Sequence, residues 1–200
     1  MAKVSHLFDR AIEGFDALNA EDPNTEPSAD GAMAKELLYA RRMSDRLAQF
    51  EPNAEEAVQL AVRAQHICRW KIPRDDYPMT REGYREWRKD LGAFHAETAG
   101  AVMREHGYAE ALIADVSSIL KKERLKTNPS AQILEDVACL VFLEHYLDDF
   151  VRKHDEQKIV NIVRRTWGKM SEPAHQVALA LELPDHLSRV VGKALAPEGE

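Results

Sequence analysis

The run Leu134-Glu135-Asp136-Val137-Ala138-Cys139-Leu140-Val141-Phe142-Leu143-Glu144 constrains this chain more than any other segment. From Val137 to Leu143 every residue is apolar, and at helical pitch that covers every face of a turn. A helix that is hydrophobic all round belongs inside a helical assembly, not on its surface. Its first turn nevertheless carries two adjacent carboxylates. A buried charge is costly unless it is paired or bound to a metal, so Glu135 and Asp136 require partners elsewhere in the chain.

The flanking sequence is helical almost throughout. Val4, Leu7, Phe8, Ala11, Ile12, Phe15 and Leu18 recur at steps of three and four over 3–19. A polar loop with two prolines follows at 20–31, and a second helix reaches about Phe50. Asn53, with Glu56 three residues on, makes a capping-box-like start for a third helix over about 54–70. Residues 71–79 form an irregular connector. Thr80 caps a long helix that stops at Gly107. Further helices are predicted over about 108–124, 130–153 and 155–170. A short one starts at Ser171-Glu172-Pro173 and a last one at Leu183-Pro184-Asp185, while 196–200 reads as a frayed tail. No strand pair, internal repeat or low-complexity tract stands out. The expectation is a single all-α globular domain over 1–200, with about eight or nine helices and mostly short connections.

Composition narrows the class. A chain that is 44% hydrophobic and 30% charged, with no apolar stretch of membrane-spanning length, reads as a soluble protein. The net charge of −7 argues against a general nucleic-acid-binding surface but leaves room for a local basic pocket. The N-terminus has no apolar core of the kind a secretion signal needs. Cys68 and Cys139 both sit in apolar helical contexts and read as free thiols of a reducing cytoplasm.

Two groups of side chains suggest chemistry. His66 lies late in the third helix, His95 and Glu97 lie on the long helix, and Glu135 and Asp136 open the apolar one. Imidazole and carboxylate groups on three facing helices suit a divalent metal ion such as Mn, Fe, Co, Ni, Zn or Mg. A single histidine on a helix is, however, more often a structural residue, and first-turn carboxylates also favour the helix macrodipole. The second group is cationic and aromatic. Arg63, Arg69, Lys71, Arg74, Arg81, Arg85, Arg88 and Lys89 alternate with Trp70, Tyr77, Tyr84 and Trp87. Arginine forks match phosphate geometry and aromatic faces stack on rings. The competing reading is a solvated face paired with Asp75, Asp76, Glu82, Glu86 and Asp90. Arg69, Trp70 and Arg74, in or beside the connector after the His66 helix, are the strongest substrate-binding candidates, with Arg63 of that helix as a further one. Lys121, Lys122, Arg124 and Lys126 read as lysines and arginine favoured near a helix C-terminus. There is no Walker loop, dinucleotide fingerprint, nucleophile elbow or HExxH sequence.

The strings RAQHICRWKIPRDDYPMTREGYREWR, FHAE and LEDVACLVFLEHY resemble the domain-of-unknown-function family DUF4202, over essentially the whole chain. More distantly, a first His, a later His pair position and a distant Asp, all on helices, resemble the HD superfamily of metal-dependent phosphohydrolases. That resemblance implies an HD-like core in which His66, His95 and Asp136 hold one divalent metal. Ala96 stands where that family has its Asp, so Glu97 or Glu135 would supply the missing carboxylate as general base or fourth ligand. Arg63, Arg69 and Arg74 would neutralise a phosphate, and Trp70 would stack on the substrate. The expected function is hydrolysis of a small phosphorylated or nucleotide-like molecule. The rival is a non-catalytic, degenerate HD-like module that binds a nucleotide, an RNA or an acidic partner through its Arg/Trp surface. Neither reading involves a membrane, and both are compatible with a homodimer.

Overall fold

The computed structural model describes residues 2–29, 31–125 and 127–196, with side chains from residue 6 onward. The side chain of Val4, Lys126 of the basic cluster and the tail at 197–200 lie outside the described residues. The chain divides into two compact units, 1–134 and 135–200. Helices dominate both, as the hydrophobic spacing predicts. None of the described helices is long and apolar enough to cross a membrane.

The first unit opens with α1 (Ala2–Asn19), which buries Ala11 and Phe15 one turn apart. The 20–31 stretch does more than loop. Strands β1 (Thr25–Ser28) and β2 (Gly31–Ala34) pair antiparallel, with Thr25 opposite Ala34. The composition of this stretch hides the hairpin, because side-chain anchoring replaces hydrophobic alternation. Asp22 accepts from the Asn24 amide at 2.9 Å with one oxygen and from the Glu36 amide at 3.1 Å with the other. Gly31 provides the positive φ of +107° at the turn.

Helix α2 (Lys35–Phe50) follows directly. Its buried face runs Glu36, Tyr39, Ala40, Met43 and Leu47, so a carboxylate occupies the first position of an otherwise apolar stripe. Helix α3 (Glu56–Arg63) is shorter than its sequence suggests: it starts after Glu55 rather than at an Asn53 cap, and it stops well before Trp70. A tertiary contact holds the turn that follows. Asn19, fully buried at the end of α1, accepts the Cys68 backbone N–H at 3.0 Å, and Cys68 adopts a left-handed φ of +53°. His66 therefore sits on a turn between α3 and a short 3₁₀ segment, Arg69–Lys71.

The connector packs by hydrogen bonds from side chains to backbone. Arg74 donates to the carbonyls of Tyr77 at 2.9 Å and Pro78 at 2.8 Å, and Trp87 Nε1 donates to the Ile72 carbonyl at 3.0 Å. Thr80 caps α4 (Arg81–Glu105) by accepting from Gly83 N at 3.1 Å. Any side chain at Gly83 would collide with the Pro78 carbonyl. Trp87, Leu91, His95, Ala99 and Met103 form the buried stripe of α4 at steps of four. Gly107, at φ +88°, turns the chain into α5 (Glu110–Leu120), which packs on α4 and α3.

Helix α6 (Pro129–Val141) contains the unit boundary, after Leu134. The predicted continuous helix to Lys153 is interrupted by a π-helical turn, Phe142–Tyr146, before α7 (Leu147–Lys153). Asp155 caps α8 (Glu156–Trp167) by accepting from Lys158 N at 2.9 Å, and Ser171 caps α9 (Glu172–Leu179). Helix α10 (Asp185–Leu195) packs on α8, where Arg164 donates to the Ala194 carbonyl at 2.8 Å.

Candidate functional site

The first unit contains a cavity of about 560 Å³ between the turn after α3, the middle of α4 and the residues following α5. That volume falls within the ~300–1,000 Å³ range of small-ligand sites. Its wall includes His66, His95, Arg88, Lys89, Lys121 and Lys122, against a single carboxylate, Glu123. Lys122 holds a left-handed φ of +55°. Non-glycine residues in that region cost energy and cluster at ligand clamps.

His66 is clamped on three sides. Its Nδ1 lies 3.2 Å from Glu36 Oε2, its Nε2 lies 2.8 Å from a guanidinium nitrogen of Arg69, and its ring stacks on Tyr39 at 4.0 Å and 11°. His95 is 4% exposed. Its Nδ1 donates to the Ile67 carbonyl at 2.8 Å, which leaves Nε2 as a lone pair. That Nε2 is buried and has no hydrogen-bond partner among the described residues. The two imidazole centroids are 6.1 Å apart.

Electrostatics keep both rings neutral. Burial first, then Arg69, His95, Arg88 and Lys122, holds His66 well below the usual histidine range. Burial brings His95 down to about 3, with Arg69 and Arg88 adding to the effect and the Ile67 hydrogen bond opposing it. Burial pushes Glu36 up to about 7, against the pull of Arg69 and Lys35. Arg69 also lies over the Trp87 ring, with its guanidinium carbon 4.9 Å from the centroid. Burial lowers its affinity for a proton, the direction expected of a cation with no ion-paired carboxylate among the described residues.

The remaining sequence candidates have other surroundings. Arg63 is spent on Asp16 of α1, at 2.8 and 2.6 Å, and on Ser44 of α2, at 3.2 Å. Arg74 closes the connector through backbone carbonyls. Trp70 is partly exposed and carries the Lys71 ammonium 5.8 Å above its ring. Glu97 is exposed and lines a different groove, together with Arg104, Glu110 and Lys121. Ala96 is buried, so Glu97 does not share the orientation that a residue at 96 has.

The two carboxylates of the apolar helix find their partners within the second unit. Glu135 meets Lys169 at 3.3 Å. Asp136 accepts from Ser171 N at 2.8 Å and from Ser171 Oγ at 2.6 Å. Among the described residues, no group of three or more His, Cys, Asp or Glu side chains is arranged to hold a metal ion. His95 alone presents a lone pair: its Nδ1 is tied to a backbone carbonyl and its Nε2 has no partner among the described residues, whereas Nε2 of His66 already accepts from Arg69. The third proposed donor, Asp136, has both oxygens engaged by Ser171.

Sequence reasoning missed Glu36, Lys121 and Lys122 beside this cavity, whereas Arg88 and Lys89 of its wall belong to the cationic group that the sequence points to. Glu36 had a legible signal: it starts the stripe that continues through Ala40, Met43 and Leu47, where a carboxylate is out of place. The lysines had none, because their position at a helix end already accounts for them.

No curated protein and no solved structure matches the chain. A family model described as domain of unknown function DUF4202 matches residues 9–191, from α1 into α10, and the chain belongs to that family.

Proposed function

We propose that the protein binds a small phosphorylated or nucleotide-like molecule in the cavity of the first unit. One observation carries the reading: Arg88, Lys89, Lys121 and Lys122 share a cavity with one carboxylate and with two imidazoles held neutral. Cations concentrated in a concave, partly desolvated space raise the local concentration of anions. Hydrogen bonds from such cations to a phosphate are about twice as strong as neutral ones. Arg69 is not part of the cavity wall, but it is bonded to His66 of that wall and feels the charge of Arg88, so its planar fork stands next to the cations that would meet the anion.

The test is calorimetric titration of the whole chain with inorganic phosphate and with adenosine monophosphate. Saturable binding is expected, and Arg88→Ala should weaken it about tenfold, the loss of one charged hydrogen bond. Binding that is absent, or that is unchanged in Arg88→Ala, contradicts the reading.

A second reading, hydrolysis of the bound phosphoryl group on an HD-like core, has one specific observation in its favour: the Nδ1 tethering of His95, which leaves its buried Nε2 with a lone pair. A divalent metal there would supply water activation and polarisation of the phosphoryl oxygen. His95 would hold it through Nε2, and His66 would join only by releasing Arg69. Metal content of protein purified without chelator, compared with His66→Ala and His95→Ala, checks it. Stoichiometric metal lost in both variants is the expected result, and a metal-free wild type that takes up no added Mn, Co or Zn rules it out.

A further inference from the structure

We propose that Glu36 is a positioning residue for the anion site: acting through His66, it fixes the Arg69 guanidinium in the orientation that receives the ligand's phosphoryl group. This role rests on the phosphate-binding reading above.

The chain Glu36–His66–Arg69 has only one consistent assignment of protons. A guanidinium can donate but not accept. The 2.8 Å contact from Arg69 therefore requires a lone pair on His66 Nε2. The single N–H of the neutral ring is then on Nδ1, directed at Glu36 Oε2, 3.2 Å away. Glu36 is suited to hold that tautomer, being 5% exposed at the start of α2, with its backbone N–H tied to Asp22 at 3.1 Å. Tyr39, on the same helix, fixes the plane of the imidazole by stacking.

The consequence falls on Arg69. Among the described residues its one hydrogen bond is to His66, and its flat face lies over Trp87. Among the described residues no carboxylate forms an ion pair with it. Its remaining N–H donors are thus held in a fixed plane and left unspent, the preorganisation that a bidentate anion contact needs. Without an acceptor at position 36 the ring is free to carry its proton on Nε2. Two donors would then face each other, and Arg69 would lose its anchor.

Simple electrostatics predicts the opposite sign. At pH 8, above the raised Glu36 value of about 7, removing the negative charge from position 36 makes the region more positive and should tighten anion binding. Glu36→Gln removes the charge but keeps an acceptor oxygen, whereas Glu36→Leu removes both. Titration of the full chain with inorganic phosphate at that pH is expected to show Glu36→Gln binding at least as tightly as wild type and Glu36→Leu about tenfold weaker. Long-range ¹⁵N–¹H spectra of the wild type are expected to show His66 protonated on Nδ1. Equal affinity of the Gln and Leu variants overturns the role of Glu36, as does a proton on Nε2 in the wild type. Should circular dichroism show Glu36→Leu unfolded, the wild-type tautomer decides. A wild type that binds no phosphate defeats the binding reading itself and this role with it, whereas phosphate binding with equal variants defeats this role alone.

Discussion

Glu135 and Asp136 in the C-terminal unit, and His66 and His95 in the N-terminal unit, are both pairs of ionisable side chains in sheltered places, and they are treated in opposite ways. Asp136 has a donor on each oxygen and Glu135 has a lysine, so the charges are matched where they stand. The imidazoles are kept uncharged by burial and by surrounding cations, and His95 retains a lone pair with no donor. Matched groups of the first kind hold a fold together, whereas His95 Nε2 is a buried acceptor still open to a hydrogen-bond donor or a metal, and the anion reading rests on the cations beside it. The strongest anomaly in the sequence thus leads to a structural contact, and the candidate site lies elsewhere in the chain.

The largest expected effect concerns pH and the histidine pair. His95 has its folded pKa depressed from 6.5 to about 3, so the unfolded chain binds the proton more readily between those values. Its stabilisation is present above pH 6.5 and is lost as pH falls toward 3. At about 1.4 kcal/mol per unit, the loss amounts to several kcal/mol. Glu36 runs the other way: raised from 4.5 to about 7, its contribution is present below pH 4.5 and is lost as pH rises through 7. Urea denaturation between pH 3 and 8 should therefore show partial cancellation between 4.5 and 6.5 and a steeper loss below 4.5. His95→Gln should flatten the acid limb, and an unchanged limb would break the distinction between the two pairs.

Next in size, Asp136→Ala should destabilise the protein by about 3 kcal/mol, because it removes a charged acceptor and strands the Ser171 N–H and hydroxyl that start α9. Denaturant midpoints check this, and phosphate affinity should be unaffected. A loss of phosphate binding at unchanged stability would move Asp136 from the structural class to the functional one. The tenfold weakening in Arg88→Ala is the mirror experiment, affecting ligand and sparing stability. The smallest effect is expected for Lys169→Ala, about 1–2 kcal/mol, since the lysine is half exposed but its loss takes a cation from the buried Glu135.

Much of the fold was legible because it rests on local rules. The 3.6-residue spacing located most helices, and Thr80, Asp155 and Ser171 are caps whose side chains accept where their residue types predict. The misses are places where a distant residue overrides the local pattern. Asn19 holds the turn after α3 by accepting the Cys68 amide, and Asp22 builds a hairpin out of a polar stretch. The site divides along the same line. His66, His95 and Arg69 stand out in the sequence because histidine and arginine are distinctive residue types. Arg63 has the right type, but Asp16 claims it across forty-seven positions, a pairing that no spacing rule reveals. Glu97 fails on direction, one residue away from the buried face. Lys121 and Lys122 join the site only because the chain turns after α5 with an unusual φ at Lys122.

The most direct test of the cavity as the anion site is a phosphate titration of the whole chain that follows the ring signals of its histidines. His66 and His95 should shift together along one saturable curve, while His175 and His186 of the C-terminal unit stay in place. Silence at His66 and His95, or an equal drift of all four, would contradict the account.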